Sequence, residues 1–268
     1  MIKVSVFNKD KIYHQWLIDL LVNKYQAEIV PINDANSEAE LLIVYGGDGT
    51  ILQAQRTLGL WPKAKIVGIN NGNLGFLAEF DIENIQDHLE HVFEETSRIL
   101  NRSRITFAIN EKEKEVPVLN EIAISQTGIS RAIQIDVYID KTYCTRVNGD
   151  GIIIATPSGS TAYSLSAGGP IVHPESKLIL ITPICAHTLN IRPLVIPEYS
   201  PVELKIVSEN NDIKLTADGQ LVFDLNKDDT IRINPIKPIS MLRPLKYNFF
   251  NTLKEKFNWA GQANLRNY

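Results

Sequence analysis

The stretch LLIVYGGDGTIL, Leu41 to Leu52, decides the fold. An unbroken apolar run leads into Gly46, Gly47, Asp48 and Gly49, after which Ile51, Leu52, Ala54 and Leu58 recur at helical spacing. Apolar runs without alternation suit strands buried on both faces, and such strands belong to parallel sheets covered by helices. The pattern predicts a strand, a glycine turn and, after Thr50, a helix packed back on the sheet.

Glycines at 46, 47 and 49 free the backbone to take left-handed angles and let a ligand approach main-chain N–H groups, a shape suited to a pyrophosphate. The turn is neither a Walker loop nor G-x-G-x-x-G. A carboxylate at Asp48 among phosphates has two chemical uses. It can hold a cation between them, or it can accept the proton of a hydroxyl that attacks a phosphoryl group. A plain loop with a solvent-facing aspartate is the simpler alternative for so short a motif.

Working outward, IKVSVF (2–7), AEIV (27–30) and KIVGIN (65–70) add strands, HQWLIDLLV has helical spacing, and Ile82 to Leu100 reads as a helix closing an α/β unit. INNGNLGFLAEF (69–80) is a second strand end followed by turn formers. Two polar glycine turns after neighbouring strands build one crevice at the carboxyl edge of the sheet, where open α/β folds bind ligands. Phe76 is either a stacking platform for a ring or a buried aromatic.

Near Asn101 the pattern changes to alternating segments, RITFAIN, EIAIS, AIQIDVYID, GIIIAT and VELKIVS, as in antiparallel sheets of a sandwich. Pro235, Pro238 and Pro244 are expected to break strand pairing, and FFNTLKEKFNWA regains a helical pattern. The fold class is therefore a Rossmann-like α/β domain over residues 1–100 and an all-β, sandwich-like domain over 101–236, followed by a tail over 237–268.

VNGDGIIIATPSGSTAYSLSAGGPIVHP (147–174) is the most unusual block. After a buried-looking strand come Thr156, Ser158, Ser160, Thr161, Tyr163, Ser164 and Ser166, a density of hydroxyls suited to the ribose and base edges of a polar ligand. A capped helix with a glycine exit accounts for only one or two of them. Asp150 precedes that strand, and Asn120 with Glu121 opens another; each alone reads as a surface turn.

The 268 residues, 44% hydrophobic and 22% charged with net charge -4, describe a globular chain without the basic face that nucleic-acid binding needs. The strand-like MIKVSVFNKD leads to the expectation of no secretory signal, and no apolar run reaches membrane-spanning length. Cys144 and Cys185 are expected as buried free thiols, with a reducing cytoplasm as the setting. The five histidines are scattered and suggest no metal cluster.

With these blocks in view, the chain resembles the NAD kinase family, which phosphorylates the adenosine-ribose 2'-hydroxyl of NAD. GGDGT (46–50), NGNLGFL (71–77), LNE (119–121), DGIIIATPSGSTAYSLSAGGPIVHP and HTLNIRPLV (187–195) match the family's motifs in order and spacing. GGDGT alone is shared with diacylglycerol-type lipid kinases and, in related form, with phosphofructokinases; TPSGSTAYSLSAGGP is far more specific.

The resemblance implies that Asp48 is the proton acceptor, with Gly46, Gly47, Gly49 and Thr50 forming the phosphate turn. It implies that Asn120 and Glu121 hold the ribose and adenine region, that Ser158, Thr161, Ala162, Tyr163, Ser166 and Phe76 contact the nucleotide, that Asp150 lies at the nicotinamide end, and that Gln220 is a late contact. Many members carry Arg where this chain has Asn148, and the nearest arginine is Arg146. The resemblance further implies ATP or polyphosphate as donor and a divalent metal, Mg²⁺, held mainly by donor phosphates. It also implies a tail returning to the first domain and a homo-oligomer, dimer or tetramer.

Asp48→Asn is then expected to spare the fold and NAD binding while abolishing turnover. A kinase of a lipid or sugar hydroxyl and a non-catalytic NAD(P) sensor are the alternatives.

Overall fold

The computed structural model describes residues 1–8, 11–32, 38–70, 72, 74–128, 132–187, 190–209 and 212–259. In chain order the elements are β1 (Lys3–Asn8), α1 (Lys11–Tyr25), β2 (Glu28–Ile29), β3 (Leu41–Tyr45), α2 (Asp48–Thr57), β4 (Lys65–Asn70), β5 (Phe80–Asp81), α3 (Ile85–Phe93) and β6 (Arg98–Ile109). There follow β7 (Lys112–Glu113), β8 (Glu121–Gln126), β9 (Ile133–Ile139), β10 (Thr142–Gly149), β11 (Gly151–Ala155), α4 (Tyr163–Ser166) and β12 (Leu178–Ile184). The chain closes with β13 (Leu194–Pro197), β14 (Val202–Ile206), β15 (Ile213–Ala217), β16 (Leu221–Leu225), β17 (Thr230–Arg243) and α5 (Phe249–Phe257).

Strands β4, β3, β1 and β2 lie side by side and parallel. Every residue of β3 is buried, because the sheet is covered on both faces. One face packs Ile43 and Val67 under Leu17 and Leu21 of α1 and Leu89 and Val92 of α3. The other packs Leu42, Val44 and Ile66 under Ile51, Ala54 and Leu58. The uninterrupted apolar run of LLIVY is thus the signature of a two-sided strand.

The second unit is a sandwich. A six-stranded antiparallel sheet, β13-β12-β11-β8-β15-β16, faces strands β10-β9-β14-β17, and its core is built from inward-pointing Ile, Val and Leu of both layers, among them Ile122, Ile124, Ile135, Ile152, Leu204 and Leu215.

The two units share a sheet. β17 pairs antiparallel with β14 at Thr230–Ile233, continues beside β6 to Arg243, and pairs parallel with β4 at Met241 and Leu242. This one strand makes the sandwich layer and the parallel sheet continuous, and it is how the end of the chain returns to the first unit.

Three expectations are corrected. Pro235 and Pro238 do not end pairing: both lie within β17, Pro238 in a register shift between Ile236 and Ile239, and Pro235 opposite Ile105, whose N–H and C=O bond Val118 instead. The helix read over Ile82–Leu100 is shorter; Glu95 turns left-handed (φ 57°) and Arg98 already begins β6 beside Arg243. Cys144 and Cys185 are free, but both are exposed rather than buried. Among the described residues no helix is long and apolar enough to cross a membrane.

Candidate active site

Helix α2 begins at Asp48 itself, one turn earlier than the apolar spacing suggests, with Gly47 in extended conformation as its N-cap and no side-chain cap. The helix therefore presents its first amides at the carboxyl edge of β3. Asp48 turns sideways. Its Oδ2 accepts the N–H of Phe76 at 2.9 Å, and its Oδ1 accepts those of Leu77 and Ala78, both at 3.0 Å. An ionised carboxylate has about four lone-pair sites, so three amides leave one open, on Oδ2. Gly75 is required for this approach, since a Cβ there would stand 2.0 Å from Asp48 Oδ1. Asn71 and Asn73 of the same turn lie outside the described residues.

The sandwich meets this edge with one end of its six-stranded sheet. Glu121 opens β8 opposite Ala155, the last residue of β11, and Ala217 ends β15 opposite Ile122. Residues 119–121, 156–163 and 218–220 consequently cluster together. Asp218, buried, accepts the N–H of Asn120 at 2.7 Å and of Leu119 at 3.1 Å. Gln220 bridges the units: its Nε2 donates to Gly49 O at 2.9 Å and its Oε1 accepts from Arg56. Gln220 is thus committed to the glycine turn and helix α2.

Three buried polar atoms around this junction have no hydrogen-bond partner, Asn120 Oδ1, Glu121 Oε2 and Arg56 Nη1, the last facing Asp218 Oδ2 as an ion pair at 3.7 Å. Orphaned buried groups of this kind are costly and cluster where a ligand completes them. Burial pushes the Glu121 carboxyl up to about 8, with nearby Asp218 adding to it and the Tyr163 main-chain amide opposing it. Burial raises Asp218 to about 6, against the amides of Asn120 and Leu119 and the Arg56 guanidinium. Carboxyls perturbed by burial at a junction between sheets mark a site in physical terms.

The hydroxyl block divides into an inner and an outer set. Thr156 donates to Leu119 O, Ser160 to Pro157 O and Ser164 pairs with Thr182, and all three are fully buried. Ser158 is also buried; its Oγ accepts from Arg102 Nη1 at 3.1 Å. Thr161, half-buried, donates to Ser158 O, Ala162 is also half-buried, and Tyr163 and Ser166 are exposed. Most of the hydroxyls that stand out in the sequence therefore shape the turn, and Thr161, Ala162, Tyr163 and Ser166 are left on its outer face. Gly159 lets the turn sit on Asn120, whose carbonyl oxygen would be 2.2 Å from a Cβ.

Phe76 is half-buried, its ring 6.2 Å from that of Phe249 and 5.6 Å from that of Phe257, so α5 is the surface it packs on. Asp150 is not brought to the cluster. It precedes β11 at the opposite end, six residues and ~20 Å along the strand from Thr156, where it accepts from Gln126 at 3.4 Å and from the Cys185 thiol. Arg146 cannot stand in for the arginine absent at Asn148, because it forks onto Asp136 at 2.6 and 2.8 Å.

Sequence reasoning missed Arg102, Glu79 and Asp218. The available signal was RSRITFAI, where Arg102 and Arg104 share one face of an otherwise apolar strand, and the Asp of TADGQ.

A parallel sheet ending in a glycine turn with an anchored carboxylate, joined to a sandwich whose strand ends carry unpartnered polar groups, defines a two-unit nucleotide-binding class. The comparisons make it specific. Residues 5–97 match the ATP-NAD kinase N-terminal domain and residues 119–236 the ATP-NAD kinase C-terminal domain. An NAD kinase of Aquifex aeolicus is 42% identical over 226 residues, 82% of each chain. Those of Fusobacterium nucleatum and Photorhabdus laumondii are 37% and 34% identical over 97% and 94% of this chain, and 98% and 91% of theirs. The chain belongs to the NAD kinase family. Among solved structures, an Archaeoglobus fulgidus NAD kinase in complex with ATP is 27% identical with a TM-score of 0.80, over 94% of this chain and 99% of that one. A yeast NADH kinase complexed with NADH shares the fold, at TM-score 0.90 and 24% identity over 100% of this chain and 90% of that one.

Proposed function

We propose that the protein transfers the γ-phosphoryl group of ATP to the adenosine-ribose 2'-hydroxyl of NAD, giving NADP and ADP. The observation that carries this is the open lone pair of Asp48 Oδ2 at the glycine turn, which Gln220 joins to the Asn120–Glu121 end of the sandwich. The 2'-hydroxyl proton passes to Asp48 as the 2'-oxygen attacks the γ-phosphorus. The bond from that phosphorus to its β-bridging oxygen breaks, and ADP leaves with the electron pair.

The chain's remaining groups position the substrates. The orphaned Asn120 Oδ1 and Glu121 Oε2 offer hydrogen bonds to the nucleoside, Thr161, Ala162, Tyr163 and Ser166 give it an outer wall, and the first amides of α2 offer donors to phosphate. A divalent cation, Mg²⁺, would neutralise charge on the donor phosphates. Mg²⁺ keeps several of its waters, so such a cation would be held mainly by phosphate oxygens and water.

Inorganic polyphosphate is a second donor to test. A cytoplasmic setting accords with two free, exposed thiols. The exposed apolar Leu194 and Val195 on edge strand β13, and Tyr143 on edge strand β10, support a homo-oligomer whose subunits bury these edges. Sedimentation at increasing protein concentration tests it, a strictly monomeric species opposing it.

Incubation with NAD, ATP and Mg²⁺, followed by an NADP-specific dehydrogenase, tests the main reading. NADP is the expected product. Its absence, with NAD bound tightly over hours, would favour a sensor instead, and a parallel arm with polyphosphate decides the donor.

A further inference from the structure

We propose that Arg102 is a positioning residue for this reaction, its guanidinium holding the Phe76–Ala78 loop that anchors Asp48 and fastening that loop to the Ser158 turn. The consequence for turnover rests on the kinase reading above; the loop contact does not.

Arg102 enters from β6, is buried almost completely, and makes three contacts, two to the 76–79 segment and one to the Ser158 turn. Nη2 donates to Phe76 O at 2.8 Å and to Glu79 Oε1 at 2.7 Å, and Nη1 donates to Ser158 Oγ at 3.1 Å. Phe76 is therefore gripped at both ends of its main chain, its N–H by Asp48 and its C=O by Arg102. Neither grip is redundant. Asp48 fixes the amide edge of the loop, and Arg102 ties the carbonyl edge to the hydroxyl block across the junction.

The fork is itself held. Glu79 is shared with Arg243, which reaches it through Nε and Nη2, both at 3.0 Å, and lies over the Tyr247 ring at 4.2 Å. A planar guanidinium can serve Phe76 O, Glu79 and Ser158 at once; an ammonium cannot span the three directions. Ser158, one of the hydroxyls that stand out in the sequence, then acts through Arg102 and not on the nucleotide directly.

Arg102→Lys keeps the charge beside Glu79 and loses the fork. Amide hydrogen exchange should speed up by about tenfold or more at Phe76, Leu77 and Ala78, with Ile152–Ile154 of β11 unchanged. In the NADP assay kcat should fall by about 10- to 100-fold while KM for NAD stays within about threefold. Ser158→Ala should shift both readouts the same way by less, and the double variant should be no worse than Arg102→Lys alone.

Unchanged exchange at residues 76–78 in Arg102→Lys would overturn the proposal, as would multiplied losses in the double variant, or a raised KM for NAD with unchanged kcat in Ser158→Ala. Should Arg102→Lys fail to fold, Ser158→Ala, which leaves the Arg102–Glu79 pair in place, carries both readouts. An unsubstituted protein that makes no NADP would sink the kinase reading, and hydrogen exchange would still decide whether Arg102 holds the loop.

Discussion

The carboxylate of Asp48 accepts the main-chain N–H of Phe76, 28 residues further along the chain, at 2.9 Å. With the amides of Leu77 and Ala78 on its other oxygen, Asp48, the proton acceptor proposed above, is also the clasp of the loop beside it. This changes what Asp48→Asn should do. An amide side chain has one acceptor oxygen and turns two N–H donors toward a row of N–H donors, so at least one loop amide is left unsatisfied. Turnover should fall by about 10²- to 10⁴-fold, the usual worth of a general base. The fold should also lose about 1–3 kcal/mol, the cost of stranding a partner. Urea unfolding beside the NADP assay checks both; unaltered stability would contradict the clasp.

Gly75 carries a related prediction. A methyl group there would stand 2.0 Å from Asp48 Oδ1, and the carboxylate cannot retreat without leaving Leu77 and Ala78. Gly75→Ala should cost about 1–3 kcal/mol through overpacking and lower kcat more than KM, because the displaced group is the proposed proton acceptor. Gly72→Ala, with no atom within 4 Å of the added Cβ but φ at +90°, should cost stability through backbone strain while leaving kcat nearer normal.

How legible the architecture was follows from what each feature depends on. β3 was readable because burial on two faces leaves a local trace, five apolar residues followed by glycines. Its sandwich counterparts were readable from alternation. The long β17 was not, because prolines at 235 and 238 signal a break in any local reading, while the pairing that tolerates them exists only with β6 alongside. The same distinction holds at the site. GGDGT announces a ligand turn in five letters, but the amides that Asp48 accepts lie 28 to 30 residues away, and Arg102 acquires meaning only when Phe76, Glu79 and Ser158 converge on it. Hydroxyl density around Ser160 has a structural component that no local reading separates out, since Thr156, Ser160 and Ser164 spend their hydrogen bonds on Leu119 O, Pro157 O and Thr182.

Glu121 makes stability depend on pH. Its carboxyl is raised from 4.5 to about 8 by burial, so between those values the folded chain keeps a proton that the unfolded chain has released. The native state then binds more protons, and stability falls as pH rises through that window. The contribution is fully present below 4.5 and gone above about 8. Asp218 acts in the same sense lower down, from 3.8 to about 6. Urea midpoints measured across the upper window should decline in the unsubstituted protein and flatten in Glu121→Gln; parallel slopes in the two would contradict the assignment.

Arg104 sets the stability of the joint between the units. It is fully buried with neutral partners: Nε and Nη2 donate to Lys237 O at 3.0 and 2.9 Å, Nη1 to Gly59 O at 2.9 Å and Gln55 Oε1 at 3.2 Å, and Nη2 to Leu60 O at 2.9 Å. The Gly59 and Leu60 carbonyls follow the end of α2, where a cation is favoured, and Lys237 sits in the β17 bulge. One guanidinium thus closes the helix behind the glycine turn and the irregular stretch of the strand that unites the sheets. Burial without an anionic partner lowers its pKa to about 10, which still leaves it charged at neutral pH. Arg104→Met fills similar volume but strands three main-chain carbonyls, at about 1–3 kcal/mol each, against a total stability of about 5–15 kcal/mol. The variant should be largely insoluble or unfolded at 37 °C by circular dichroism, whereas Arg104→Lys, able to satisfy some of those carbonyls, should fold with a lowered melting temperature. A Met variant as stable as the unsubstituted protein would show that the carbonyls find other donors, and that the joint does not depend on this side chain.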